Sequence, residues 1–192
     1  MVNISDVLTV LARQRPVFHS EADFQHALAW ELHQRLPNAA IRLELPVAHH
    51  DKLLHVDIWI VQNQQILALE LKYKTRALAL TIGGESFRLL NQSAQDLGRY
   101  DFIKDIQRLE RLLADQRHAV GYALLLTNDS SYWAPPRDSH SIDAHFRISE
   151  GRVLHGVLGW GTHASVGTMR GREAPLEIQG TYSLHWAEYA RP

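Results

Sequence analysis

The stretch from His55 to Lys74 constrains the fold more than any other. Two apolar runs, His55-Val56-Asp57-Ile58-Trp59-Ile60-Val61 and Ile66-Leu67-Ala68-Leu69-Glu70-Leu71-Lys72-Tyr73-Lys74, flank the polar residues Gln62-Asn63-Gln64-Gln65. Short strand-favouring runs around a polar turn predict a β-hairpin. Asn63-Gln64 is a weaker turn signal than Asn-Gly, so loops of two and of four residues both fit. Either loop, centred between Asn63 and Gln64, puts Asp57 opposite Glu70 and His55 opposite Lys72. A three-residue loop would make the contact diagonal. Side chains alternate faces along a strand, so Glu70, Lys72 and Lys74 share one face and Leu67, Leu69, Leu71 and Tyr73 the other. Residues facing each other across the pair have Cβ atoms about 5 Å apart and point the same way. Asp57, Glu70 and Lys72 should therefore converge.

Two carboxylates that close repel each other unless a cation or a proton intervenes. Two readings of the trio are open at this point. One is a solvent-facing salt bridge between Lys72 and either acid. The other is a site for a hard divalent cation such as Mg²⁺, which prefers oxygen ligands and keeps several waters. In that case Lys72 would position or deprotonate an attacking water.

An acid on one strand followed by Glu/Asp-x-Lys on the next, here Asp57 and Glu70-Leu71-Lys72, resembles the PD-(D/E)XK nuclease superfamily, also called restriction-endonuclease-like. Val56 stands where that family often has a proline. The resemblance implies an α/β fold, a mixed central sheet flanked by helices with an αβββαβ core. It implies Mg²⁺ or Mn²⁺ ligated by Asp57, Glu70 and the Leu71 carbonyl, with Lys72 beside the attacking water. An acid on the first core helix often completes such a site. Glu21 is that candidate, with Gln25 on the same face at i+4, and Asp23 is its rival. Without the resemblance, Glu21 is a first-turn carboxylate favoured by the helix dipole.

The order of elements along the chain agrees with that core. Residues 4–15 have a helical stripe (Val7, Leu8, Val10, Leu11) ended by Pro16. Ser20 is an N-cap for a second helix reaching about Leu36. Ile41 to Val47 alternates as a strand, and His49-His50-Asp51-Lys52 is the turn into the Asp57 strand. Residues 75–82 read as an extension of the Glu70 strand, followed by a turn at Gly83-Gly84. The longest helix is expected over residues 92–116, with Leu97, Tyr100, Ile103, Ile106, Leu109 and Leu113 inward. Asp101, Lys104, Asp105, Arg108, Glu110 and Arg111 then form its charged surface. Gln92, Asp96 and Tyr100, at i, i+4 and i+8, are candidates to support the site. RecB-like members of the superfamily carry Gln-x-x-x-Tyr on this helix, where this chain has Asp96-x-x-x-Tyr100. The apolar run Ala119 to Thr127 reads as a parallel strand buried on both faces. Residues 128–145 read as a loop. Phe146-Arg147-Ile148 and Val153 to Leu158 read as a hairpin, residues 159–175 as a glycine-rich loop, and Thr181 to Tyr189 as the last strand.

Composition sets the outer limits. A chain of 192 residues fits one domain, residues 1–192, with the core at 20–128 and a β-rich extension at 146–189. With no cysteine, thiolate metal sites and cysteine nucleophiles are excluded, and a reducing cytoplasm is the expected location. No signal peptide or membrane span is expected. The net charge of −1 is unusual for a nucleic-acid binder, which is normally basic. Phosphate contacts would then have to come from a local rim. Lys74, Arg76 and Arg99 are the nearest candidates, with Arg42, Arg88, Arg170 and Arg172 further out. The expectation is a metal-dependent nuclease, acting on DNA rather than RNA, as a restriction, repair or defence enzyme, with a homodimer if it cuts both strands of a duplex. Two other readings stay open. One is an inactive nucleic-acid-binding or regulatory subunit of the same fold, and the other is an RNA-directed nuclease.

Overall fold

In the computed structural model, which describes residues 2–49, 52–135, 138 and 140–190, the central hairpin closes through a two-residue turn. Asn63 and Gln64 both adopt the left-handed conformation, with φ of 49° and 64°, which matches a tight turn to the twist of its strands. Strand β2 (Lys52–Gln62) pairs antiparallel with β3 (Gln65–Lys74) from Gln62↔Gln65 to Ile58↔Leu69. Strand β1 (Ala40–His49) pairs antiparallel with the other edge of β2, from Ala40↔Val61 to His49↔Lys52. His50 and Asp51 of the anticipated turn lie outside the described residues.

Two helices precede the sheet. Helix α1 (Ile4–Gln14) is capped by Asn3, whose side chain accepts from the Ser5 N–H. Helix α2 (Glu21–Arg35) is capped by Ser20, whose hydroxyl accepts from the Asp23 N–H at 3.1 Å. Val7, Leu11, Phe24, Leu28 and Leu32 from these helices pack on Ile58, Ile60, Leu69 and Leu71. After β3 the chain forms a separate small hairpin, β4 (Leu78–Ile82) and β5 (Glu85–Leu89). Residues 75–82 therefore do not extend β3. The glycines at 83 and 84 both take positive φ and turn the chain back on itself.

Helix α3 (Gln95–Leu113) then crosses the opposite face and sets Leu109 and Leu112 against Val56 and Ala68. Strand β6 (Ala119–Thr127) returns parallel to β3, giving the order β1-β2-β3-β6. The chain is thus a mixed α/β fold with a mixed sheet and helices on both faces. Strand β6 is parallel as expected but not fully buried. It lies at the sheet edge, so its residues are half-covered, and Tyr122 is 36% exposed. Among the described residues no helix is long and apolar enough to cross a membrane.

The C-terminal third departs furthest from expectation. Residues 144–146 form a 3-10 turn rather than a strand. Strand β7 (Val153–Leu158) pairs with β8 (Leu176–Ser183), which ends well before Tyr189. Phe146, Leu154, Leu158, Leu176 and Ile178 pack onto Tyr100 and Ile103 of α3, so burial against that helix selects the pairing. The glycine-rich stretch between them holds a short helix, α4 (Val166–Met169).

Candidate functional site

The β2–β3 ladder stops at Ile58↔Leu69, although continuing its register would set Val56 against Leu71 and Asp57 against Glu70. Beyond that point the strands separate, and their backbone groups need other partners. Side chains supply them. The Leu71 N–H donates to Asp57 Oδ2 at 2.5 Å, and the Tyr73 N–H donates to Glu21 Oε2 at 2.7 Å. Gln25 Nε2 donates to the Asp57 carbonyl at 2.7 Å and to Glu44 Oε1 at 2.7 Å. The first turn of α2 therefore sits in the fork between the strands. Asp23 turns away from it and pairs with Arg15.

Glu44 is a part of this site that sequence reasoning missed. The flanking pairs Leu43↔Ile58 and Leu45↔Val56 set it, on β1, beside Asp57 of β2. Glu44, Asp57 and Glu70 thus lie where the β1–β2 and β2–β3 pairings are interrupted. Glu44 has φ of 49°, a left-handed conformation that costs a non-glycine residue on the order of 1 kcal/mol or more. The Gln25 hydrogen bond holds its carboxylate there.

Helix α3 closes the other side of the fork. Asp105 and Arg108, one turn apart, face β3 rather than solvent, correcting their assignment to the charged surface of the helix. Arg108 Nη2 forms an ion pair with Glu70 Oε2, and Lys72 Nζ lies 2.7 Å from Asp105 Oδ2. Arg108 Nη2 is also 3.5 Å from Asp105 Oδ1, and Lys72 Nζ donates to the Leu71 carbonyl at 3.3 Å. The signal available in the sequence was only that i and i+3 charges share a face. Which face turns inward depends on how α3 lies on the sheet.

Burial governs the electrostatics. Glu70 is 1% exposed, and desolvation pushes its carboxyl up to about 8, against the pull of Arg108 and reinforced by Asp57 and Asp105. Burial also raises Asp57, with the Leu71 N–H and Lys72 opposing and Glu44 adding to the rise. Burial alone would lower Lys72, but the Asp105 charge and hydrogen bond outweigh it and hold the amine protonated.

The supporting residues anticipated on α3 lie elsewhere. Gln92 precedes the helix, because α3 begins at Gln95 after Ala94 in a left-handed conformation. Its backbone and side chain bind Thr75, so the expected stack of Gln92, Asp96 and Tyr100 does not form. Tyr100 is buried on the C-terminal side, stacked on Trp160, with its hydroxyl donating to the Ala174 carbonyl. Asp96 lies on that side too, close enough to act on Tyr132 and Arg172. Arg99 is not a phosphate contact. It is buried, and its Nε and Nη2 both bind Asp143. Arg172 is engaged by Asp101. Lys74, together with Arg88, lines a cleft of about 410 Å³ beside Glu21. Arg76 is exposed, with its backbone bound to the Asn128 side chain.

Among the described residues no three His, Cys, Asp or Glu side chains converge on one ion position as they stand. The donors nonetheless fit a hard cation in kind. They are carboxylate and carbonyl oxygens, and Glu70 Oε1 is a buried oxygen with no hydrogen-bond partner. Compared with known proteins, the chain matches no family model, no curated protein and no solved structure.

Proposed function

We propose that the protein is a divalent-metal-dependent nuclease that hydrolyses phosphodiester bonds, with DNA as its first substrate. One observation carries this reading: where β2 and β3 separate, Asp57 binds the Leu71 N–H, Glu70 pairs with Arg108 and Lys72 with Asp105, and the charge of Asp57 acts on both Glu70 and Lys72, with α2 and α3 supplying polar groups from either side. Asp57, Glu70 and the Leu71 carbonyl would hold Mg²⁺ or Mn²⁺, with Glu21 at the margin. A bound ion of this kind polarises a phosphoryl oxygen and lowers the pKa of water. Lys72 keeps its proton because Asp105 faces it. It therefore orients the attacking water and neutralises charge developing on the phosphate, rather than taking up a proton. Gln25 fixes the Asp57 backbone. The cleft beside Glu21, with Lys74 and Arg88 on its wall, would seat a sugar-phosphate strand.

A second reading, a binding or regulatory subunit that does not cut, is favoured by one observation. Glu70 and Lys72 already have internal ion-pair partners. Incubating the protein with supercoiled plasmid, single-stranded DNA and RNA, each with Mg²⁺ or Mn²⁺ and with EDTA, separates the two. Cleavage that EDTA abolishes supports the nuclease. A protein that binds divalent metal but cuts none of the three is the non-catalytic subunit.

A further inference from the structure

We propose that Arg108 stands in for the divalent cation in the metal-free protein, and that metal binding releases it to a phosphate of the nucleic acid. This rests on the metal-nuclease reading. A carboxyl as buried as Glu70 is held ionised only by a counter-charge beside it. On its own strand face the nearest cation, Lys72, is held by Asp105 and the Leu71 carbonyl. Arg108 reaches across from α3 and fills the role.

Its attachment differs from that of the structural arginines. Arg99 grips Asp143 through Nε and Nη2 with its side chain 5% exposed, and Arg172 grips Asp101 through the same two nitrogens. Arg108 touches Glu70 through Nη2 alone. Its Nε is buried without a hydrogen-bond partner, and its side chain remains 26% exposed. A guanidinium tied at one nitrogen exchanges partners at lower cost than one held through two.

Charge points the same way. A divalent ion on Asp57 and Glu70 would take over the counter-charge that Arg108 supplies to Glu70 and leave the guanidinium without that carboxylate. A phosphodiester anion offers it a partner of the same sign. Metal and nucleic acid should therefore bind with positive coupling through this side chain.

The test uses the full chain with Ca²⁺ as a metal probe and a short fluorescent DNA duplex. Ca²⁺ affinity is measured by calorimetry, and DNA affinity by polarisation in saturating Ca²⁺. Arg108→Met keeps the aliphatic stem and removes the charge. The expected result is Ca²⁺ binding tighter by about tenfold or more, with DNA binding in Ca²⁺ weaker by a similar factor, the scale of one lost charge-assisted contact. Arg108→Lys should fall between wild type and Arg108→Met on both measures, and it carries the test alone if Arg108→Met does not fold. Ca²⁺ binding no tighter than wild type, or DNA binding in Ca²⁺ unchanged, would overturn the proposal while leaving the nuclease reading in place. Absence of divalent-metal binding in wild type and both variants would overturn the two together. Binding by the variants alone would support Arg108 as the blocking cation.

Discussion

The Lys72 ammonium lies 2.7 Å from the Asp105 carboxylate, tying the strand that carries the candidate site to the helix that crosses over it. Both side chains are largely withdrawn from water, so the pair belongs to the architecture of the site as well as to its charge balance.

Asp105→Asn should therefore do two things. Removing one partner of a buried pair leaves the other uncompensated, a loss on the order of 3 kcal/mol that thermal unfolding would register as a lower midpoint. Lys72 would also lose the group that aims it, and cleavage should fall by about 10²-fold, the scale of a misplaced catalytic group. Metal affinity, measured by calorimetry, should remain within a few-fold of wild type because Asp57 and Glu70 are intact.

Gln25→Ala should destabilise the fork itself. It removes the donor to the Asp57 carbonyl and to Glu44, both at 2.7 Å. An acceptor left unpaired inside the protein costs about 1–3 kcal/mol, readable by urea denaturation. The variant should also bind metal more weakly than wild type, since the Asp57 backbone is no longer held.

Much of the sheet was legible in the sequence because period-two alternation and a short polar turn leave few registers. The register from Gln62↔Gln65 to Ile58↔Leu69 follows from the even turn at Asn63-Gln64, and the parallel return of β6 follows from its apolar run after a helix. Glu44 was equally a matter of register, but the turn between β1 and β2 has no strong signal, so its position opposite Asp57 could not be fixed. Asp105 and Arg108 were not legible at all. A helix rich in charge shows which residues share a face, not which face the sheet covers. Arg99 illustrates the same limit in the opposite direction. It sits among charged neighbours in the sequence, but Asp143, far along the chain, draws it into the interior. Strand β7 was legible at Val153–Leu158, but its partner β8 was misplaced because the pairing is selected by packing on α3, which local pattern does not report.

The Arg99–Asp143 pair makes a prediction about acid stability. Burial acts to raise Asp143, but its hydrogen bonds to Arg99 and Ser141 and the charge of Arg147 prevail and hold it below the usual carboxylate range. The unfolded chain binds a proton at about pH 4, where the native carboxylate still refuses one. The contribution of this pair is thus fully present above that pH and is lost as pH falls through the native pKa. Asp143→Asn should lower stability at neutral pH by about 3–5 kcal/mol. It should also flatten the decline of stability below about pH 4. Denaturant unfolding at pH 7 and pH 3 would measure both effects. Lys72-dependent cleavage should survive wherever the variant remains folded.

The central claim is that Asp57, Glu70 and Lys72 form a metal-dependent hydrolytic site. The most direct measurement is the single-turnover cleavage rate of duplex DNA in Mn²⁺, with metal affinity determined in parallel, for wild type, Asp57→Ala and Lys72→Ala. Wild type should cut and EDTA should stop it. Asp57→Ala should lose metal binding and cleavage together, because a hard cation needs both carboxylates. Lys72→Ala should retain the metal while its rate falls by about 10²-fold or more, because it loses a charge beside the attacking water but no ligand. Equal rates for wild type and Lys72→Ala, or cleavage that persists in Asp57→Ala, would contradict the account.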